Sequence, residues 1–171
     1  MIAKTFPHPP WRILRDHGRR GWGGGHTLAA EVIASMTGYQ VAPIGWVESP
    51  LTDPAQAPRQ GDEGAPSAWL VFAPEVADAV RDLAPGAEVI VLTWLDQADR
   101  DVLVTRPRDD PARPLTGVFS TRSPDRPNPI GLHRVQIVAV EGLRIQVQPL
   151  EALDKTPVID IKPVLDQTTE R

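Results

Sequence analysis

Alternating apolar and polar residues predict β-strands in the second half of the chain. Residues 132–140 place Val135 and Ile137 on one side and polar residues on the other. After a turn at Gly142, the same period of two returns in residues 143–148. Because successive side chains of a strand point to opposite faces, both segments are predicted to be half-exposed strands that form a hairpin.

Further apolar segments of strand length occur at residues 41–47, 68–72, 87–95, 101–105 and 158–161. Pro74 and Glu75 suit the first turn of a helix, and Pro85 and Gly86 suit its end, which predicts a short helix through Leu83. The chain lacks the regular strand–helix alternation of a parallel sheet. The pattern therefore predicts a mainly β fold, a small single-domain antiparallel β-barrel with one or two short helices and long loops.

Residues 117–132 read GVFSTRSPDRPNPIGL and are predicted to form a stiff loop. The prolines exclude a helix and a central strand, because each proline lacks an N–H donor and has a fixed φ. Apolar residues at both ends predict that the loop is anchored in a core. Arg122 and Arg126 suit the binding of a planar anion. The alternative is a rigid surface turn whose arginines are only solvated.

The composition of the 171 residues agrees with a loop-rich β protein. Pro (19) and Gly (13) are frequent, aromatic residues make up 5%, and 41% hydrophobic residues are enough for one core. Cysteine is absent, which excludes disulfides and thiolate metal ligands, and the four histidines lack the spacing of metal ligands. We predict no metal site, and no membrane segment, since no apolar run approaches the ~20 residues that span a bilayer.

The charges are unevenly distributed along the chain. The net charge of −4 argues against a general nucleic-acid coat protein, which would be basic overall. Residues 53–101 hold ten acidic and three basic side chains, whereas residues 106–134 hold six arginines and three aspartates. Such a local basic patch could bind a structured RNA. Alternatively, the patch pairs with the acidic segment across the fold.

Residues 1–38 differ from the rest and are predicted to be an N-terminal extension, a flexible arm followed by a short helix. Residues 1–25 are basic and end in the hinge-like run GWGGG, and residues 26–37 have a helical pattern. Three interpretations remain open: an arm that adds positive charge for RNA, a translated upstream extension with Met36 as the true start, and a targeting peptide. The second is favoured. The polar residues 166–171 are predicted to be a loose tail.

Four motifs in order along the chain resemble those of the TrmO family, also called YaeB or TsaA-like. They are Ile44-Gly45 with Ser49-Pro50, PRQ at 58–60, TRSPDRPNPIGL at 121–132, and TPVIDIKP at 156–163. The resemblance marks residues 39–165 as the barrel domain. It implies a cytoplasmic, homodimeric β-barrel methyltransferase that uses S-adenosyl-L-methionine. The implied acceptor is N6 of threonylcarbamoyl-adenosine beside the tRNA anticodon, so the implied partner is the anticodon loop of tRNA.

The resemblance also implies the cofactor-binding residues, which are Arg59, Gln60, Gly61, Asp62, Glu63, Asp96, Gln97, Arg122, Leu132, Leu153, Asp154, Lys155 and Thr156. Their chemistry is suitable. Gly61 lets the backbone approach a ligand closely, and Gln97 can both donate and accept at an adenine edge. Arg122 can bind the methionine carboxylate through two parallel hydrogen bonds. Asp154 could face the ammonium or the ribose, although Asp96 and Asp154 are also common turn residues.

No arrangement of a histidine with an acid, or of a lysine, identifies a catalytic base in the sequence. Methyl transfer gains mainly from alignment of the reacting groups, but the weakly nucleophilic N6 must also lose a proton. Asp160 and Lys162 share one face of the last predicted strand and lie in a family motif. They are the candidate catalytic residues, with Asp160 the candidate base. A structural ion pair is the alternative.

Arg108, Arg113 and Arg126 are the candidate RNA-binding residues, because a splayed-out base in an anticodon loop leaves phosphates exposed nearby. The chain also departs from the family pattern. Asp96 replaces a common histidine, and Lys155 replaces a glycine, which restricts positive φ there. Two alternatives follow: a methyltransferase acting on another RNA or a small molecule, and a non-catalytic barrel that binds S-adenosyl-L-methionine or a nucleotide.

Overall fold

The computed structural model describes residues 40–165. The predicted N-terminal extension (1–38) and loose tail (166–171) lie outside the described residues. Across residues 40–165, none of the helices combines the length and the apolar character that crossing a membrane requires.

Strands dominate the described part of the chain. They are β1 (Gly45–Glu48), β2 (Ala68–Phe72), β3 (Glu88–Trp94), β4 (Val104–Thr105), β5 (Thr116–Gly117), β6 (Ile130–Glu141), β7 (Arg144–Gln148) and β8 (Pro157–Pro163). Six of them close into an antiparallel barrel in the order β1-β2-β7-β6-β3-β8, with β8 pairing back to β1. Strands β4 and β5 form a separate two-stranded sheet. The predicted mainly β class is confirmed.

Helical structure is short throughout the described residues. One α-helix, α1, covers Ala77–Val80. Single 3-10 turns cover Gly61–Glu63, Pro74–Val76, Pro107–Asp109 and Val118–Ser120. The central loop predicted from its prolines therefore contains one short turn before Thr121 and is irregular from there to the start of β6.

Three predicted elements are shorter than the apolar pattern suggested. Strand β1 begins at Gly45 because Pro43 cannot donate to the ladder and Val41 is exposed. The helix ends at Val80, since Leu83 N–H donates to the carbonyl oxygen of Val80 in a tighter turn. Only Val104–Thr105 of the predicted 101–105 strand pairs with a neighbour.

The barrel interior is packed with aliphatic side chains. The largest fully buried ones include Leu70, Ile137, Ile145 and Leu150. Strand β6 shows the predicted alternation, with Val135 buried and Arg134 exposed. Burying such side chains stabilises the fold by about 1.5–3 kcal/mol each. The hairpin between β6 and β7 turns at Gly142, whose φ of +61° suits glycine.

Antiparallel pairing gives the barrel two unlike ends. Three long connections, residues 49–67, 95–129 and 149–156, leave the same end, which we call the loop rim. The opposite end carries the α1 connection, whose Val80 belongs to the core, and the tight turn at Gly142. The loop rim therefore brings together residues of three connections that are distant in sequence.

Candidate functional site

The residues predicted to hold a cofactor lie at the loop rim. Residues 59–63 are in its first connection, residues 96–97 and Arg122 are in its second, and residues 153–156 are in its third. The thirteenth, Leu132, lies in β6 just beyond the second connection, with its side chain on the outer wall and 49% exposed. Any contact from Leu132 to a ligand inside the rim would therefore use its backbone.

Two ion pairs join the first connection to the second. Arg59 Nη2 lies 3.2 Å from Asp109 Oδ2, and Arg108 pairs with Glu63. These contacts hold the 3-10 turn Gly61–Glu63 against the arginine-rich segment. Because both pairs are substantially exposed, each contributes little to stability, about 0–1 kcal/mol. The pairs Arg108–Glu63 and Arg134–Glu88 show that part of the basic patch pairs with the acidic segment, one of the two interpretations of the charge pattern.

The central loop is braced by its own polar groups. Thr121 Oγ1 donates to the carbonyl oxygen of Val118 over 2.8 Å. Arg126 donates from Nε to the carbonyl oxygen of Ser123 and from Nη2 to that of Thr121, both over 2.8 Å. Asp125 accepts a hydrogen bond from the Asp99 N–H. The guanidinium of Arg126 thus shapes the loop, and a phosphate contact by this residue remains a prediction.

Arg122 differs from Arg59, Arg108 and Arg113 in that it takes part in none of the ion pairs that the described residues form at the rim. Among residues 40–165, the ion pairs at the rim engage Arg59, Arg108 and Arg113, the last with Asp110, but not Arg122. Its side chain is exposed on the braced loop. Asp96 and Gln97 at the end of β3 are exposed as well. The second connection therefore presents the guanidinium of Arg122, the carboxylate of Asp96 and the amide of Gln97 to solvent.

Residues 153–156 are tied to the end of β1. Ser49 N–H donates to Asp154 Oδ1 over 3.1 Å, and Asp154 N–H donates to the carbonyl oxygen of Leu51 over 2.7 Å. Lys155 N–H donates to the carbonyl oxygen of Val47 over 2.7 Å. Asp154 thus acts as a turn residue, and its hydrogen bonds link the third connection to the first.

Lys155 has φ of +65°. The turn therefore keeps the left-handed geometry that glycine adopts without penalty, although a lysine occupies it. We expect Lys155→Gly to raise the free energy of unfolding by about 0.5–1 kcal/mol, since relief of strain outweighs the added entropy of the unfolded chain. Urea denaturation would measure the change. Arg81→Gly, at a φ of −59°, is the matched control and should lower stability instead.

The candidate catalytic residues Asp160 and Lys162 lie on the barrel wall. Lys162 Nζ is 2.8 Å from Asp160 Oδ2, and both side chains are about half exposed. Asp160 pairs in register with Leu92, and Lys162 with Ile90, farther from the loop rim than the start of β8. The structural ion pair, one of the two interpretations of these residues, is thus present. A role of Asp160 as a base remains a prediction.

A histidine and an acid do come together inside the barrel, an arrangement that the sequence did not reveal. His133 Nδ1 lies 2.8 Å from Glu151 Oε1, and His133 Nε2 lies 2.9 Å from Thr93 Oγ1. Thr93 and His133 are buried. The alternation of β6 places His133 on the same face as Val135, which was a usable indication. Nothing in the spacing linked it to Glu151, because the two residues come from different elements.

Glu151 remains an ionised carboxylate in this environment. Burial raises the pKa of its carboxyl, but the hydrogen bond and the charge of His133 outweigh that effect, so the pKa lies below its usual value. The carboxylate lies against the 3-10 turn of the rim. A Cβ on Gly61 would be 3.3 Å from Glu151 Oε2, so glycine leaves the space that this carboxylate occupies.

The fold and the rim define a small closed β-barrel protein with a polar, charged end built by three loops. The sequence profile described as tRNA-methyltransferase O N-terminal domain matches residues 46–169. The chain therefore belongs to the TrmO family.

Relatives in archaea and a solved bacterial structure support this assignment. The chain is 46% identical over 121 residues to an S-adenosyl-L-methionine-binding protein of Archaeoglobus fulgidus, covering 70% of this chain and 85% of that protein. A probable S-adenosyl-L-methionine-binding protein of the same organism is 41% identical over 124 residues, which is 72% of this chain and 33% of the relative. The crystal structure of TrmO from Pseudomonas aeruginosa superposes with a TM-score of 0.60 at 27% identity. That alignment covers 80% of this chain and 62% of the other. The chain thus spans a third of one relative and about three fifths of the solved protein.

Proposed function

We propose that this protein binds S-adenosyl-L-methionine at the loop rim and methylates N6 of threonylcarbamoyl-adenosine beside the anticodon of tRNA. One observation carries the proposal. Twelve of the thirteen residues implied as cofactor contacts lie in the three connections of a single barrel end, although they are up to 97 positions apart, between Arg59 and Thr156. The archaeal relatives named as S-adenosyl-L-methionine-binding proteins add support.

The groups at the rim suit the parts of this cofactor. Arg122 would receive the carboxylate of the methionine end, because its guanidinium is exposed and outside the ion pairs of the rim. Gln97 would bind the adenine edge, and Asp96 the ribose or the ammonium. Gly61 holds its turn close to the third connection, because its Cβ position lies 3.3 Å from both Glu151 Oε2 and Pro149 Cγ. The cofactor, when bound, supplies an activated methyl group.

The braced loop contributes alignment. Its hydrogen bonds from Thr121 and Arg126 hold Arg122 on a backbone that is already ordered, so little conformational entropy is lost when a ligand binds. Orientation of this kind is the main contribution that a protein makes to methyl transfer. We therefore assign Arg122 to binding and positioning.

An RNA acceptor is supported by further residues of the second connection. Arg108 and Arg113 are paired only with exposed carboxylates, and such weak pairs can be exchanged for phosphates. Phe119 is 77% exposed three residues before Arg122, and exposed aromatic rings stack on unpaired bases. The tRNA substrate, the homodimer and the cytoplasmic location implied by the family resemblance remain predictions.

We expect Arg122→Ala to weaken S-adenosyl-L-methionine binding about tenfold or more, the usual effect of losing a charged hydrogen-bonding partner. Isothermal titration calorimetry on the whole chain measures the change. Arg81→Ala is the matched control, because Arg81 is exposed and pairs only with its neighbour Asp82, at the opposite end of the barrel. Equal affinities in wild type and Arg122→Ala would remove Arg122 from the site.

Turnover is tested with tRNA from a strain that lacks the family enzyme. Mass spectrometry of digested tRNA should show one additional methyl group on threonylcarbamoyl-adenosine after incubation with wild-type protein and cofactor. Binding of tRNA should weaken as salt is added, because phosphate contacts release counterions. A binding isotherm for the cofactor without any methylated nucleoside would contradict the proposed reaction.

A barrel that binds S-adenosyl-L-methionine without methyl transfer is the second candidate. The observation that favours it is the position of Asp160, which is paired with Lys162 on the outer wall instead of facing the loop rim. Cofactor binding together with unmodified tRNA is the result that distinguishes this function from the first.

A further inference from the structure

Three polar side chains form a hydrogen-bonded chain that crosses the barrel interior near the loop rim. Thr93 of β3, His133 of β6 and Glu151 of the third connection are joined by contacts of 2.9 Å and 2.8 Å. Within residues 40–165, the other fully enclosed side chains of the interior are apolar, with the exception of Thr156. A buried polar group is costly unless it is fully paired, and apolar residues of equal volume often serve a core as well. Packing alone therefore does not explain why these three polar side chains are buried together.

The ionised state of Glu151 fixes the direction of the hydrogen bond that it shares with His133. An ionised carboxylate only accepts, so His133 Nδ1 must carry the proton that it shares with Glu151. His133 Nε2 shares its hydrogen bond with the hydroxyl of Thr93, which can donate to this nitrogen or accept from it. Each ring nitrogen has one partner, so the imidazole is held in one orientation. The consequence is a Glu151 carboxylate fixed through Oε1.

Only the Glu151 end of the chain can be reached from outside. Thr93 is fully buried, which excludes its hydroxyl as a nucleophile, and the His133 side chain is 5% exposed. The side chain of Glu151 is 18% exposed. Glu151 Oε1 is hydrogen-bonded to His133. Among the described residues, every fully buried side-chain oxygen has a hydrogen-bond partner. Glu151 Oε2, which has no hydrogen-bond partner among the described residues, is therefore at least partly exposed.

The partly exposed oxygen lies beside a segment assigned to the cofactor. Glu151 Oε2 is 3.3 Å from the position of a Cβ on Gly61, the first residue of the turn that carries Asp62 and Glu63. Glu63 is already paired with Arg108, whereas Asp62 is exposed. Arg59 and Arg108 are engaged by Asp109 and Glu63, so neither of these arginines offsets the carboxylates of Glu151 and Asp62. A cation is the complementary ligand.

A role as general base fits Glu151 less well. An efficient base has a pKa near the pH at which it works, whereas His133 holds the pKa of Glu151 below its usual value. A carboxylate of this kind stays charged at neutral pH. It is suited to attract a cation and not to accept a proton.

We propose that Glu151 is a ligand contact for the positively charged end of the bound cofactor, the sulfonium or the ammonium, and that His133 and Thr93 are positioning residues that hold it in place. This inference rests on the proposed binding of S-adenosyl-L-methionine. Glu151 would then favour the binding of positively charged adenosine derivatives over that of neutral ones.

The test compares two ligands on wild type and on Glu151→Gln by competition titration. One ligand is S-adenosyl-L-methionine, and the other is 5′-methylthioadenosine, which has the same nucleoside but no charge. We expect Glu151→Gln to lower the affinity for the charged ligand about tenfold or more, and the affinity for the neutral ligand by less than about twofold. Glu141→Gln, an exposed glutamate at the far end of β6, is the matched control and should change neither.

Two results of the titration would overturn the inference. One is an equal loss of affinity for both ligands, which would give Glu151 a merely structural role, and the other is an unchanged affinity for both. If wild-type protein binds neither ligand, the proposed function itself fails and the inference with it. Urea denaturation of Glu151→Gln shows whether the variant is folded at the temperature of the titration. Should it be unfolded, Glu151→Asp keeps the charge and is expected to retain the preference for the charged ligand.

Discussion

Gly45→Ala is expected to destabilise the barrel by about 3 kcal/mol or more, at the upper end of the range for overpacking. A Cβ at this position would fall far inside 3.0 Å of the carbonyl oxygen of Val71 and within 3.0 Å of Phe72 Cα. Both obstacles are backbone atoms of β2, directly opposite in the register. They cannot move aside without breaking the pairing of β1 and β2, which closes the barrel.

The effect can be measured by urea denaturation followed by tryptophan fluorescence. Domains of this kind have about 5–15 kcal/mol of stability, so the variant should show a much lower midpoint or fail to fold. Gly117→Ala is the matched control, because nothing lies within 4 Å of its Cβ position and its φ is −56°. That variant should be neutral or gain about 0.4–1 kcal/mol. Equal midpoints for the two variants would mean that β1 is not paired as described.

Gly131→Ala is expected to be the second most damaging change, costing about 2–3 kcal/mol. Its Cβ would lie 2.6 Å from His133 Nε2 and closer still to Thr93 Oγ1. Both groups are buried and hydrogen-bonded to each other, so neither can retreat into solvent. The added methyl group must separate them or push β6 away from β3.

Two measurements check this second prediction. Urea denaturation gives the loss of stability. Cofactor titration at a temperature where the variant is folded should show weaker binding, because displacement of His133 releases Glu151. Gly45→Ala, which disturbs the pairing of β1 with β2 and not the close contact of Thr93 and His133, is the comparison that separates a local effect from general loosening. Unaltered stability of Gly131→Ala would contradict the close contact of Thr93 and His133.

The strands were the most predictable part of the fold. Strands β6 and β7 follow from the period of two in residues 132–148, because one face of each strand is buried in the core and the other meets solvent. The irregular backbone of residues 121–129 follows from its prolines, which cannot join a ladder. Element ends were less predictable. They depend on where a backbone N–H is missing, as at Pro43, or bonds within a local turn, as at Leu83.

The sequence by itself determined the strands, the stiff loop and, through the family motifs, the chain segments that the proposed site uses. Only the tertiary structure decided which groups meet. The strand order places three connections at one rim, pairs Arg108 with Glu63, and turns Arg126 into its own loop. It also joins His133 to Glu151, 18 residues away, inside the barrel. The physical reason is that local periodicity records which face of a strand is buried, whereas contacts between side chains depend on barrel closure and register.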